Sequence, residues 1–141
     1  MGQTNQSITI QAPVAKVWEA ISDFHDASWA PNVITELKPV GDKPGDQVGS
    51  KRVLNGVFHE TLLTLDNDQY SFSYAITDGP SPLSQDEVDN FTGFVKLSPD
   101  GKNGGTQVQW SSSWQKNDEP VHEFCNPIYD ALLNDMKKSL E

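Results

Sequence analysis

Glu60 and Arg52 are the two side chains of this sequence best suited to chemistry. Asn55-Gly56, a hairpin turn signal, lies between them. Each therefore falls in one of two adjacent antiparallel strands. A carboxylate that faces an apolar space loses its hydration, and its pKa rises unless a cation pairs with it. Arg52 could be that cation. Three uses stay open for Glu60. It can anchor a ligand hydroxyl or carbonyl, act as a general acid or base with Tyr74 as helper, or sit in a buried ion pair with no further role. A lone carboxylate is a thin basis for catalysis, because no obvious second catalytic group accompanies it.

The other reactive types point to less. Tyr70, Tyr74, Trp110 and Trp114 recur at even spacing along strands, as core or as the wall of a pocket. Tyrosine hydroxyls placed inside need partners, which Glu60, water or a ligand can supply. His25, His59 and His122 form no constellation. His122 and Cys125 have the spacing of two metal ligands on a helix, but a zinc site needs more than two, so no metal and no cofactor are expected. Cys125 reads as a small buried hydrophobe. Ser111-Ser112-Ser113 reads as plain strand, and no phosphate-cradling glycine loop, dinucleotide fingerprint or Ser/His/Asp motif is present.

The elements that must position these residues follow from periodicity. Residues 7–10 form a short strand with Ile8 and Ile10 on one face. Pro13 opens a helix in which Val14, Val17, Trp18 and Ile21 repeat at helical spacing. Residues 24–29 form a second short helix. Six strands follow, over 33–40, 48–54, 57–65, 70–77, 87–98 and 106–114. The stretch 99–105 is a glycine-rich turn, and 78–86, with Gly79, Pro80 and Pro82, is either a lid or an ordinary connection. A long amphipathic helix from Glu119-Pro120 to about Leu140 carries Val121, Phe124, Cys125, Ile128, Leu132, Leu133 and Met136 as its apolar stripe. Pro127 inside it should kink or break it.

A run of strands closed by a helix is an α+β pattern. A bent sheet gripping one helix does not close fully, and the gap becomes a cavity. At 141 residues the chain is expected to be one domain over 1–141. Its formal net charge of -10 disfavours nucleic acid and anionic membrane surfaces. One cysteine allows no internal disulfide, and no apolar run approaches the ~20 residues of a membrane span. Residues 1–6 lack the pattern of a signal peptide, so a cytoplasmic protein is expected, as monomer or weak homodimer.

Several segments together resemble the START-like (SRPBCC) superfamily of the polyketide cyclase/dehydrase type. They are Ile10-Gln-Ala-Pro13 leading to Val17-Trp18, Trp29-Ala-Pro-Asn-Val33, Val48-Gly-Ser-Lys-Arg52, Glu60-Thr-Leu-Leu-Thr-Leu-Asp66, Tyr74-Ala-Ile-Thr-Asp-Gly-Pro80 and Val108-Gln-Trp110. The birch-pollen allergen and the abscisic acid receptors share this fold. The resemblance implies a helix-grip fold: a curved seven-stranded antiparallel sheet wrapped around a long C-terminal helix, with two short helices after the first strand. In the receptor group an acidic residue matches Glu60 and an arginine matches Arg52. The receptors' gate loop is cut here to Asn55-Gly56. The stretch 79–83 matches their second loop but lacks its His-Arg pair. Hormone binding is therefore not implied; the cavity is.

In the family pattern Tyr74 and Glu60 face inward. Alternation then puts Leu62 and Thr64 inside with Glu60, and Tyr70, Phe72 and Ile76 inside with Tyr74. It does the same for Arg52 and Leu54, for Phe91, Gly93, Val95 and Leu97, and for Val108, Trp110, Ser112 and Trp114. Trp29 and Pro80 fall near the mouth, and Phe124, Ile128 and Leu132 face in from the helix. From this set the expected ligand-binding residues are Trp29, Arg52, Leu54, Glu60, Leu62, Tyr70, Phe72, Tyr74, Ile76, Pro80, Phe91, Gly93, Trp110, Ser112, Phe124, Ile128 and Leu132. The leading expectation is a protein that binds, carries or senses a small hydrophobic molecule: a lipid, isoprenoid or polyketide-like aromatic. A cyclase/dehydratase-like enzyme using Glu60 and Tyr74 is the alternative, and a co-chaperone-like partner module is another.

Overall fold

Alternating apolar and polar residues make strands here because each buries one face and wets the other. The computed structural model describes residues 2–101 and 104–141. In chain order it holds β1 (Gly2–Ile10), α1 (Val14–Ile21), β2 (Leu37–Val40), β3 (Lys51–Leu54), β4 (Phe58–Asp66), β5 (Ser71–Asp78), β6 (Asp89–Asp100), β7 (Gly105–Gln115) and α2 (Asp118–Leu140). The strands form one seven-stranded antiparallel sheet in the order β1-β7-β6-β5-β4-β3-β2. The sheet curves around α2, which is the helix-grip arrangement of an α+β fold. Of the glycine-rich turn expected over 99–105, Lys102 and Asn103 lie outside the described residues, as does Met1.

Four local expectations are corrected. Residues 24–29 are turns, not a second helix. Asp23 and Asp26 accept the backbone N–H of His25 and Ser28 at 2.9 Å, and such local bonds compete with a helix. Strands β2 and β3 are shorter than expected, because Ile34 N–H turns back to the Ala30 carbonyl and Ser50 N–H to that of Gln47. Pro127 does not break α2, which continues through it. Pro127 and Glu123 are exposed, so the carbonyl that loses its intrahelical donor faces water. The register shift between Leu62 and Thr64 reverses the phase of β4. Thr64 therefore lies outside the core, where its hydroxyl meets that of Ser73 at 2.6 Å, and Leu65 packs against the core instead.

The core lies between the concave face and α2. Val121, Cys125, Tyr129, Leu132, Leu133 and Met136 bury one side of that helix. Val17, Trp18 and Ile21 close one end of the sheet from α1. Gly93 on β6 is opposite Tyr74 on β5. A Cβ at 93 would overlap the far end of the Tyr74 ring, so the missing side chain is what lets that ring lie flat on the sheet. Gly93→Ala should lower stability by about 1–3 kcal/mol in denaturant unfolding, the range for forcing one extra group into a packed core. A loss within error would show that Tyr74 has somewhere else to go.

Candidate functional site

The hairpin between β3 and β4 sets the site's first pair. Asn55 and Gly56 take the positive φ values, 52 and 70°, that such a turn demands. This turn puts Arg52 directly opposite Glu60. Both are inward and nearly dry, at 5% and 6% exposure. Arg52 Nε donates to Glu60 Oε1 at 2.9 Å, and Nη2 donates to the same oxygen at 2.6 Å. Nη1 donates to the Phe24 carbonyl at 3.0 Å, and the guanidinium lies 3.8 Å above the Phe24 ring. The cation that a buried Glu60 requires is thus present. Glu60 Oε2 receives neither of the Arg52 bonds.

A second polar group is a row of side chains across β5, β7 and α2. Trp110 Nε1 donates to the Tyr74 hydroxyl at 3.0 Å. That hydroxyl is 3.3 Å from the Tyr129 hydroxyl, which is 2.6 Å from Ser112 Oγ. Burial raises the Tyr74 pKa above its ordinary value of 10.0, and the nearby Glu60 charge adds to it. Burial likewise raises Tyr129, with Tyr74 adding. Burial pushes the Cys125 thiol up to about 12. All three groups therefore stay protonated at neutral pH.

Glu60 and Tyr74 open onto a cavity beneath α2. Leu54, Phe58, Ile76 and Trp110 wall it from the sheet. Cys125, Ile128, Tyr129 and Leu132 wall it from the helix. Trp29, Val33, Ile34, Asn55 and Leu83, from the segments between the regular elements, complete its lining. The space along these walls, open solvent included, is about 560 Å³. The centre of a water-sized molecule ranges over about 60 Å³ of it. That is room for several waters, since one occupies only roughly 10–15 Å³ as a sphere.

Of the residues expected to line a cavity, the structure brings together Trp29, Arg52, Leu54, Glu60, Tyr74, Ile76, Trp110, Ile128 and Leu132. It leaves the rest of the expected set elsewhere. Tyr70 has φ 54°, so it has left the strand alternation, and it packs edge-on against Trp18. Phe72 turns to the same tryptophan, with ring centroids 6.3 Å apart. Phe91 stacks on Trp114 at 5.6 Å, away from the cavity. Leu62 is core, Gly93 lies under the Tyr74 ring, and Ser112 is taken up by Tyr129. Phe124 is half-buried at the edge of the core. Pro80 accepts the Leu83 N–H at 2.7 Å, and it is Leu83 that reaches the cavity.

The residues that sequence reasoning missed are Val33, Ile34, Asn55, Phe58, Leu83, Cys125 and Tyr129. Two were within reach. Phe58 shares the phase of Glu60, and Tyr129 lies four residues beyond Cys125 on the helix. Asn55 could not be seen as more than a turn residue. Its side chain accepts the Thr35 and Glu36 N–H groups and donates to the Val33 carbonyl, tying the 33–36 segment to the hairpin. The 78–86 loop contributes Leu83 to the lining, and the Ser81 and Ser84 hydroxyls donate to Glu87 at 2.8 and 2.7 Å. Of the histidines, His25 is bonded to Ser50 Oγ at 2.9 Å, while His59 and His122 are exposed. Among the described residues no group of three or more His, Cys, Asp or Glu could hold a metal. No helix among them is long and apolar enough to cross a membrane.

Over residues 1–141 the chain matches the family described as polyketide cyclase / dehydrase and lipid transport. A solved structure from Nitrosospira multiformis is 37% identical, covers 99% of this chain and 96% of its own, and superposes with a TM-score of 0.95. One from Thermobifida fusca is 23% identical over 97% of this chain and 91% of its own, with a TM-score of 0.81. Ara h 8.0201 is 16% identical over 98% and 96%, with a TM-score of 0.76. The last two show likeness of fold alone. No curated protein matches the sequence.

The raised tyrosine pKa values carry a pH dependence. The folded chain holds protons on Tyr74 and Tyr129 that the unfolded chain releases above pH 10.0. Their contribution to stability is therefore complete below that pH and is lost progressively as pH rises beyond it. Tyrosinate absorbance should show both groups un-ionised at the ordinary pKa while the fold persists, and Tyr74→Phe should flatten the alkaline loss of stability. Ionisation of both at their ordinary value would mean that water reaches them freely.

Proposed function

The chain belongs to the polyketide cyclase / dehydrase and lipid transport family, and from that premise we propose that it binds, carries or senses a small hydrophobic molecule in the cavity beneath α2. The observation that carries this reading is an apolar hollow with one carboxylate on its wall. Aromatic and aliphatic walls with a few placed polar groups are the usual make-up of a small-molecule site. A buried ion pair supports the same reading. Replacing such a pair by apolar residues is often neutral or stabilising, so stability alone is a weak reason to keep one.

The groups in the hollow favour holding a molecule over transforming one. Glu60 is tied to Arg52, and the hydroxyls of Tyr74 and Tyr129 and the thiol of Cys125 keep their protons. The free room is small beside the ~300–1,000 Å³ of typical ligand pockets. It suits a compact isoprenoid or monocyclic aromatic better than a long acyl chain, unless the Leu83 loop moves outward.

Isothermal titration and ligand-observed NMR against a panel of short isoprenoids, medium-chain lipids and aromatic polyketide-like compounds should find micromolar binders. Only millimolar affinity across the panel would end this reading. Ile128→Trp should fill the cavity from the helix side and abolish that binding while leaving Tm within a few degrees of the parent. Retained affinity in that variant would place the ligand outside the cavity.

A further inference from the structure

We propose that the molecule taken by this cavity is electrically neutral and presents a hydrogen-bond donor, a hydroxyl above all, and that the site discriminates against carboxylates. This inference rests on the binding role given to the cavity. It comes from counting what its polar atoms still have to offer.

Arg52 is the one cation among the described residues that line the hollow. Three of its five N–H donors are used, those of Nε and Nη2 on Glu60 Oε1 and one of Nη1 on the Phe24 carbonyl, and its face lies on the Phe24 ring. Its charge is already balanced by Glu60, so a ligand anion would bring an uncompensated negative charge into the hollow. Glu60 Oε2 takes neither guanidinium bond, and an ionised carboxylate can only accept. An incoming carboxylate would meet this oxygen as a like charge in a poorly hydrated space, which is strongly unfavourable. An incoming hydroxyl would donate a hydrogen bond to it.

Tyr74 sharpens the choice. Its oxygen already accepts from Trp110, an indole that can only donate. Its 3.3 Å contact with the Tyr129 hydroxyl is met with either group as donor, so with Tyr129 donating the Tyr74 proton is available to a ligand oxygen. A hydroxyl or enol can give to Glu60 and take from Tyr74. A pure hydrocarbon can do neither, and it would cover Oε2 without giving it a hydrogen bond. The formal net charge of -10 also repels anions before they arrive.

The test uses three probes on one carbon skeleton with the wild-type protein near neutral pH: benzyl alcohol, benzoate and toluene. Affinities are read by NMR titration, with Trp29 and Trp110 as reporters. Benzyl alcohol should bind at least about tenfold more tightly than benzoate, and more tightly than toluene. Benzoate equal to or tighter than the alcohol overturns the inference and leaves the binding role standing. Toluene as tight as the alcohol overturns the donor requirement. If none of the three binds, the cavity reading fails together with this inference. Glu60→Gln removes the like charge and should shrink the alcohol-over-benzoate preference several-fold; an unchanged preference overturns the role given to Glu60. The wild-type comparison decides the matter even if that variant does not fold.

Discussion

A guanidinium and a carboxylate held out of water must find each other, and the rest of this structure is arranged around that necessity. The pairing of Arg52 with Glu60 needs β3 and β4 in one register, which the Asn55-Gly56 turn supplies. It needs Phe24 beneath the guanidinium and the Phe24 carbonyl at its edge, which the turns after α1 supply. Removing one partner of such a pair leaves an uncompensated charge and typically costs about 3–5 kcal/mol. The pair thus ties Phe24, the hairpin and the inner face of the sheet into one arrangement.

That constraint also explains why the hollow is where it is. Arg52 and Glu60 occupy inward positions that two apolar side chains would otherwise fill. The neighbouring aromatics cannot spread over the gap, because each is held by something else. Tyr74 lies over Gly93 and is bonded to Trp110, and Tyr129 is bonded to Ser112. Phe72 and Tyr70 are drawn to Trp18, and Phe91 to Trp114. Well-packed interiors leave few voids larger than a water. This one persists because its walls have hydrogen bonds and ring contacts to lose by closing it.

Much of the fold was legible in the sequence. The strands announced themselves by alternation, the β3–β4 turn by Asn-Gly, and α2 by its apolar stripe. Errors came where a local bond competed with the pattern. The Asp23 and Asp26 side chains diverted residues 24–29 from a helix. One irregularity after Leu62 reversed the phase of β4, and period-two reasoning carries no warning of it. Pro127 was harmless because the carbonyl it strands is on the wet side of α2, a fact about burial and not about proline.

The candidate site divides along the same line. By itself the sequence determined which residue types were available and which neighbours a hairpin brings into register. Glu60, Arg52 and Tyr74 were therefore singled out from pattern and family resemblance. Only the tertiary structure decided which inward residues share a cavity and which are simply core. Phe58 and Phe91 are both aromatic strand residues, yet one borders the hollow and the other stacks on Trp114. Strand phase is a local property with a period of two residues. A cavity is what remains after side chains distant in sequence have packed, so Val33, Asn55, Leu83 and Tyr129 could meet there only once the sheet had closed around α2.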